Sequence, residues 1–176
     1  MIYVSRYKSQ IGNILLASDE EGLTGLWFEG QKYFANTLPD ERILQETEIL
    51  REAKKWLDVY FTGEDPPFMP PLHPAGSTFR QAVWQLLLQI PYGQTITYGE
   101  IARRMAEVKK FPYVCPAVGG AVGHNEISII IPCHRVVGTN GSLTGYGGGI
   151  DKKISLLNLE HADMSHLFIP KKGTAL

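Results

Sequence analysis

The sequence predicts an α/β N-terminal domain followed by a mostly α C-terminal domain. Three observations carry that reading. Apolar clusters in residues 1–34 are short and separated by turn residues, the pattern of strands. Five prolines crowd residues 64–77, a density that neither a helix nor a central strand accepts. Beyond residue 77 the apolar spacing is helical and two capping-box strings introduce it. The expected division is 1–76, with its Pro-rich linker at 64–77, and 77–176.

Taken in order, Tyr3, Ile11, Ile14, Leu15, Leu16 and Ala17 lie between the turn signals Gly12-Asn13 and Asp19-Glu20-Glu21-Gly22. Leu23, Leu26, Trp27 and Phe28 form a second cluster that ends at Glu29-Gly30, giving a hairpin or meander with no chemistry of its own. Residues 41–61 read as a helix with Ile43, Leu50, Ala53, Trp56, Leu57 and Phe61 near helical spacing. Thr78-Phe79-Arg80-Gln81 opens the next helix, which Pro91-Tyr92-Gly93 stops. Thr97-Tyr98-Gly99-Glu100 opens another, through Ile101, Ala102 and Met105, and Pro116 to Gly123 forms a short one. Two helices with a connecting turn resemble a helix-turn-helix unit, in which small residues admit a duplex closely. Residues 141–149 are glycine-dense, Ile150 to Leu159 form the last helix with Glu160 at its end, and the tail from His161 reads as loosely held.

Composition is that of a globular chain, 44% hydrophobic and 20% charged. No apolar run is long enough to span a bilayer, and the N-terminus lacks the basic start and apolar core of a signal peptide, so a cytoplasmic location is expected. The net charge of −1 hides an asymmetry: residues 1–76 carry 7 Lys+Arg against 12 Asp+Glu, residues 77–176 carry 10 against 6. Only the second half suits a polyanion. The two cysteines, Cys115 and Cys133, belong to no Cys-x-x-Cys or Cys/His cluster, so a structural metal site is not expected.

The chemistry concentrates between Ile129 and Tyr146. The run Ile127 to Ile131 reads as a buried strand or extended segment stopped by Pro132, and Cys133, His134 and Arg135 follow at once. A thiol held on a fixed backbone beside two groups able to carry positive charge is a candidate nucleophile. The bland alternative is a cysteine that packs as a small hydrophobe.

The string Pro-Cys-His-Arg-Val, with Asn125 eight residues before the cysteine, resembles the active-site signature of the O6-alkylguanine-DNA alkyltransferases (methylated-DNA–protein-cysteine methyltransferases). That resemblance implies a ribonuclease-H-like N-terminal domain and a winged-helix-like DNA-binding C-terminal domain. It implies irreversible transfer of an alkyl group from O6 of guanine, less well O4 of thymine, in double-stranded DNA to Cys133, one event per molecule, without cofactor or metal and by a monomer. By similarity His134 takes the thiol proton through a water, Glu160 holds His134, and Asn125 ties the recognition helix to the active-site turn. Tyr98 presses on the flipped nucleotide, Tyr146 walls the base pocket, the backbone around Val136 and Gly147 meets the guanine edge, and Lys153 lies near the site. Pro116, Ala117, Val118, Gly119 and Arg135 fall on the expected DNA side.

Two departures stand out. The family carries Arg-Ala-Val-Gly in the recognition helix, its arginine filling the space of the extruded nucleotide, whereas this chain has Pro116-Ala117-Val118-Gly119. Proline suits a helix's first turn and an apolar wedge can unstack bases, but it cannot hydrogen-bond the orphaned base. The segment before it, including Val108-Lys109-Lys110-Phe111-Pro112, is longer than usual, and Lys109 and Lys110 are candidate phosphate contacts. Two rival functions follow: a lesion-binding protein without chemistry, which Cys133 argues against, and a multiple-turnover thiol hydrolase, for which no oxyanion-hole motif stands out.

Overall fold

Alternating side chains in the first 28 residues build an antiparallel meander: β1 (Tyr3–Ser9), β2 (Gly12–Ser18) and β3 (Leu23–Phe28). The computed structural model describes residues 1–108 and 115–171, so the expectations for Lys109 and Lys110 lie outside the described residues. It divides into two units, Met1–Ala75 with Glu126–Ser128, and Gly76–Asn125 with Ile129–Leu176.

In the first unit a two-residue strand β4 (Ile43–Leu44) joins β1 in parallel, giving the sheet order β3-β2-β1-β4. The helix expected over 41–61 is shorter: α1 runs Glu48–Tyr60, because Thr47 caps it by accepting from Leu50 N at 3.2 Å and Ile43 pairs with β1 instead. Leu50, Ala53, Trp56, Leu57 and Tyr60 form its buried face, and α1 packs on β1 to β3. Each such apolar side chain removed from water contributes about 1.5–3 kcal/mol. Another cluster, Val4, Ala17 and Trp27, gathers Ile2, Leu15, Ala35 and Leu38 around it.

The free edge of β3 is covered by distant chain. Leu23 N donates to Pro71 O and His73 N to Leu23 O, both at 2.7 Å, so the Pro-rich segment is pinned to the sheet rather than hanging as a spacer. Leu26 N donates to Glu126 O at 2.8 Å and Ser128 N to Leu26 O at 3.0 Å. Glu126 also accepts from the buried Trp27 indole at 2.8 Å. The run Ile127 to Ile131 is therefore no continuous strand. Ile127 makes a single bridge, and Ile129 adopts a left-handed backbone (φ 69°) that a β-branched residue takes only under constraint.

In the second unit α2 (Thr78–Leu87) is capped one residue earlier than expected, by Ser77, whose hydroxyl accepts from Arg80 N at 3.2 Å. β5 (Ile96–Thr97) leads into α3 (Tyr98–Val108), where Thr97 accepts from Glu100 N at 3.1 Å. Glu100 does not close the capping box. Its carboxylate pairs with Arg103 and Arg104, which hold its pKa down at about 2. The short helix α4 (Cys115–Gly123) follows, and Trp84 of α2 donates to Ala121 O at 2.9 Å. β6 (Val136–Val137) pairs in parallel with β5, and α5 (Ile150–Leu159) ends the helices. The described part of the tail, residues 161–171, is better held than expected. Leu143 N donates to Phe168 O at 2.9 Å, Phe168 N to Gly141 O at 3.1 Å, and Met164 and Leu167 pack on Val137, Leu143 and Leu157. No described helix is long and apolar enough to cross a membrane.

Candidate active site

Pro132 sets the nucleophile's backbone. Its ring fixes φ, and at φ −83°, ψ 65° it sits at the centre of an inverse γ-turn closed by Cys133 N–H to Ile131 O at 2.8 Å. A 3₁₀ turn over Cys133–Arg135 follows, with all three side chains buried. Asn125 is buried too and donates from Nδ2 to the same Ile131 carbonyl at 2.7 Å, clamping the turn from the C-terminal end of α4. Burial pushes the Cys133 thiol up, while the Asn125 side chain and the Lys153 charge pull the other way. The resting group is the thiol, so a base must take its proton before it reacts.

His134 is the next residue in the turn. Its Nε2 lies 2.6 Å from Glu160 Oε2, and an ionised carboxylate there fixes the proton on Nε2. Nδ1 is then a lone pair, buried and without a hydrogen-bond partner among the described residues. Burial holds the imidazole below its ordinary pKa against the opposing pull of Glu160. Burial alone would raise Glu160, but its hydrogen bonds with His134 and Arg135 and the Arg135 charge outweigh that and hold the carboxyl well below its usual range.

Arg135 lies elsewhere than expected. It is 8% exposed, and its fork grips Glu160, Nε to Oε1 at 2.8 Å and Nη2 to Oε2 at 3.1 Å, while Nη1 donates to Ile90 O at 2.8 Å. A guanidinium so engaged is withdrawn from any phosphate. Gly93 N donates to Glu160 Oε1 at 3.1 Å.

Lys153 is wholly buried and bridges two carbonyls, Val136 O at 2.5 Å and Thr144 O at 2.7 Å, and burial pulls its pKa down to about 8. One lone pair of the Val136 carbonyl is thus used within the protein. Tyr98 donates from its hydroxyl to Thr144 O at 3.3 Å, and burial, then the Cys133 charge, push it up to about 12. Tyr146 is buried edge-on to the His134 ring, centroids 6.4 Å apart, and Gly147 is half-buried beside it in sequence. Cys133, His134, Glu160, Asn125, Lys153, Tyr98 and Tyr146 thus share one neighbourhood. Pro116 and Ala117 lie exposed on the first turn of α4, Gly119 half-buried and Val118 buried. Among the described residues no group of three His, Cys, Asp or Glu side chains suits a metal.

Sequence reasoning missed the backbone partners: Ile90 O, Gly93 N and Thr144 O. The Pro91-Tyr92-Gly93 stop was visible only as a helix end, and main-chain groups leave no residue-type signal.

The fold and site define a protein of one sheet unit and one helical unit, the latter holding a buried thiol, a buried imidazole next to it in sequence and a carboxylate bonded to that imidazole. Comparison with known proteins agrees. Residues 2–74 match the family described as 6-O-methylguanine DNA methyltransferase, ribonuclease-like domain, and residues 78–162 match its DNA binding domain. A methylated-DNA–protein-cysteine methyltransferase of Methanosarcina acetivorans is 47% identical over 90% of this chain and 98% of its own length. One of Haemophilus influenzae is 43% identical over 90% of this chain and 86% of its own. The solved structure of Mycobacterium tuberculosis OGT in complex with DNA is 42% identical, covers 90% of this chain and 92% of that one, and superposes with a TM-score of 0.78. The chain belongs to the 6-O-methylguanine DNA methyltransferase family.

Proposed function

We propose that this protein repairs alkylated DNA by moving the methyl group of O6-methylguanine, and less well that of O4-methylthymine, onto the sulfur of Cys133. The observation that carries the reading is the buried His134, next to Cys133 in one 3₁₀ turn and held on Nε2 by Glu160 at 2.6 Å, which leaves Nδ1 as its second ring nitrogen. His134 takes the thiol proton through a water. The thiolate attacks the methyl carbon, an S–C bond forms as the O6–C bond breaks, and the thiol proton ends on guanine. The thioether has no route back, so each chain acts once.

The target atom is inside a duplex and must be flipped out. In this reading α3 and α4 form the helix-turn-helix-like unit, with 136–144 as its wing, and α4 approaches the DNA. Gly119, Gly120 and Gly123 support this. A Cβ at any of them would meet nothing within 4 Å among the described residues, so their packing does not require glycine there. Each glycine costs about 1 kcal/mol of helix propensity relative to alanine, and a close-lying partner backbone explains it. Pro116, exposed at the head of α4, acts as an apolar wedge where the family carries arginine. Tyr98, Tyr146 and Gly147 line the base pocket.

Intact-protein mass after incubation with an oligonucleotide bearing O6-methylguanine tests the reading. The expected result is a gain of one methyl group per chain, abolished in Cys133→Ala. Binding without mass gain would favour a lesion-binding protein, and repeated turnover would favour a hydrolase.

A further inference from the structure

We propose that Arg135 is the positioning residue of this site: it locks Glu160 onto the Nε2 side of His134 and offsets its charge, so that His134 meets the thiol as a neutral base. The inference rests on the methyl-transfer reading above. Three features carry it. The contact is a fork on both carboxylate oxygens, 2.8 and 3.1 Å, a geometry that a lysine cannot reproduce. The third guanidinium nitrogen is anchored to Ile90 O at 2.8 Å, and Gly93 N, from the same turn, reaches Glu160 Oε1 at 3.1 Å. The turn after α2 therefore fixes the carboxylate through Arg135. The Tyr92 ring lies 5.7 Å from the guanidinium carbon and closes the other side.

The electrostatic consequence follows from what surrounds the imidazole. From α5 it faces Glu160 and Lys153; from its own turn, Cys133 and Arg135; from the glycine-rich loop, Tyr146; and Tyr98 of α3 faces Cys133. Glu160 draws a second proton onto His134, whereas burial, Arg135 and Lys153 repel it. A buried carboxylate stripped of its guanidinium would favour imidazolium, and the lone pair that takes the thiol proton would be lost.

The test is the single-turnover rate of methyl transfer to Cys133 against pH, with nitrogen-15 spectra of the His134 ring, in wild type, Arg135→Met and Arg135→Lys. Wild type is expected to lose rate only below pH 6.5, the ordinary histidine value. In Arg135→Met that acidic limb moves to higher pH and the rate at pH 7 falls roughly tenfold or more, the scale of losing a general base. Arg135→Lys keeps the charge and moves the limb less. An acidic limb that stays in place while rate falls would reduce Arg135 to a structural role and overturn the proposal. If Arg135→Met does not fold, a limb in Arg135→Lys at the wild-type position with an unaltered ring spectrum overturns it equally, as does a wild-type ring that is doubly protonated at pH 7. Failure of wild type to gain a methyl group would instead sink the methyl-transfer reading, which the ring spectra do not depend on.

Discussion

Asn125 Nδ2 and the backbone N–H of Cys133 share one acceptor, the carbonyl of Ile131, at 2.7 and 2.8 Å. The helix that ends at Gly123 and the turn that presents the nucleophile are thereby joined through a single oxygen. Asn125→Ala removes the clamp and leaves its site buried. We expect a loss of about 1–3 kcal/mol in chemical denaturation, the cost of an abandoned buried polar contact. Methyl transfer should slow beyond what the lost stability explains, since the amide also favours the thiolate.

Lys153→Met keeps most of the side chain's volume and deletes its charge. Two carbonyls, Val136 O and Thr144 O, lose their buried donor. Stability should fall by about 1–3 kcal/mol. Because Lys153 favours the Cys133 thiolate, alkylation of the thiol by iodoacetamide should begin at higher pH in the variant. An unchanged reactivity profile would show that the lysine only braces the two carbonyls.

Gly145 holds φ at +76°, and a Cβ there would stand 2.6 Å from the Tyr98 hydroxyl oxygen. Gly145→Ala combines backbone strain, of order 1 kcal/mol or more, with displacement of Tyr98 from Thr144 O. The melting temperature should drop by several degrees and transfer should slow. Tyr98→Phe in the same background should restore part of the stability by removing the clashing oxygen.

Acid should destabilise the fold in two stages. His134 and Glu160 both have folded pKa values below their unfolded ones, so each contributes stability that is full above the unfolded value and is lost as pH falls through the folded one. The first decline therefore begins below pH 6.5 and the second below pH 4.5, the ordinary values of the two groups. Urea midpoints measured at pH 7, 5.5 and 4 should fall in that order, and His134→Gln should flatten the first step.

Much of this was legible in the residues. The meander and α2 to α5 follow from local spacing and capping residues; Cys133, His134 and Glu160 are singled out by the resemblance of one dense string to the family, and the Pro-rich stretch expected as a linker is pinned to the sheet. What escaped was set by distant partners. Residues 127–131 are as strand-like as any stretch of the chain, yet within the run the bridge is made by Ile127, and at Ile129 the backbone turns left-handed, φ 69°. Ile43 belongs to the sheet because β1 offers it an edge, not because its neighbours oppose helix. The charge count of the second half agrees with its match to a DNA binding domain over residues 78–162, yet two of its ten cations, Arg135 and Lys153, are buried around the candidate site rather than facing outward. A burial decision of that kind is made in three dimensions and has no one-dimensional trace.

The three residues Glu126–Ser128, which complete the edge of β3, also set a schedule for synthesis. A domain at the front of a chain ordinarily folds as soon as it clears the ribosome. Here the Trp27 indole waits for Glu126 Oε2, 2.8 Å away in the finished protein, and residue 126 is made 99 positions later. In the nascent chain the Leu26 stretch of the β3 edge and the Trp27 donor therefore lack these partners until about half of the second unit has been translated. Maturation of the first unit is thus tied to elongation through the segment just before the reactive cysteine, and a chain stalled earlier would carry a half-finished sheet that is open to chaperones, proteases or another nascent edge.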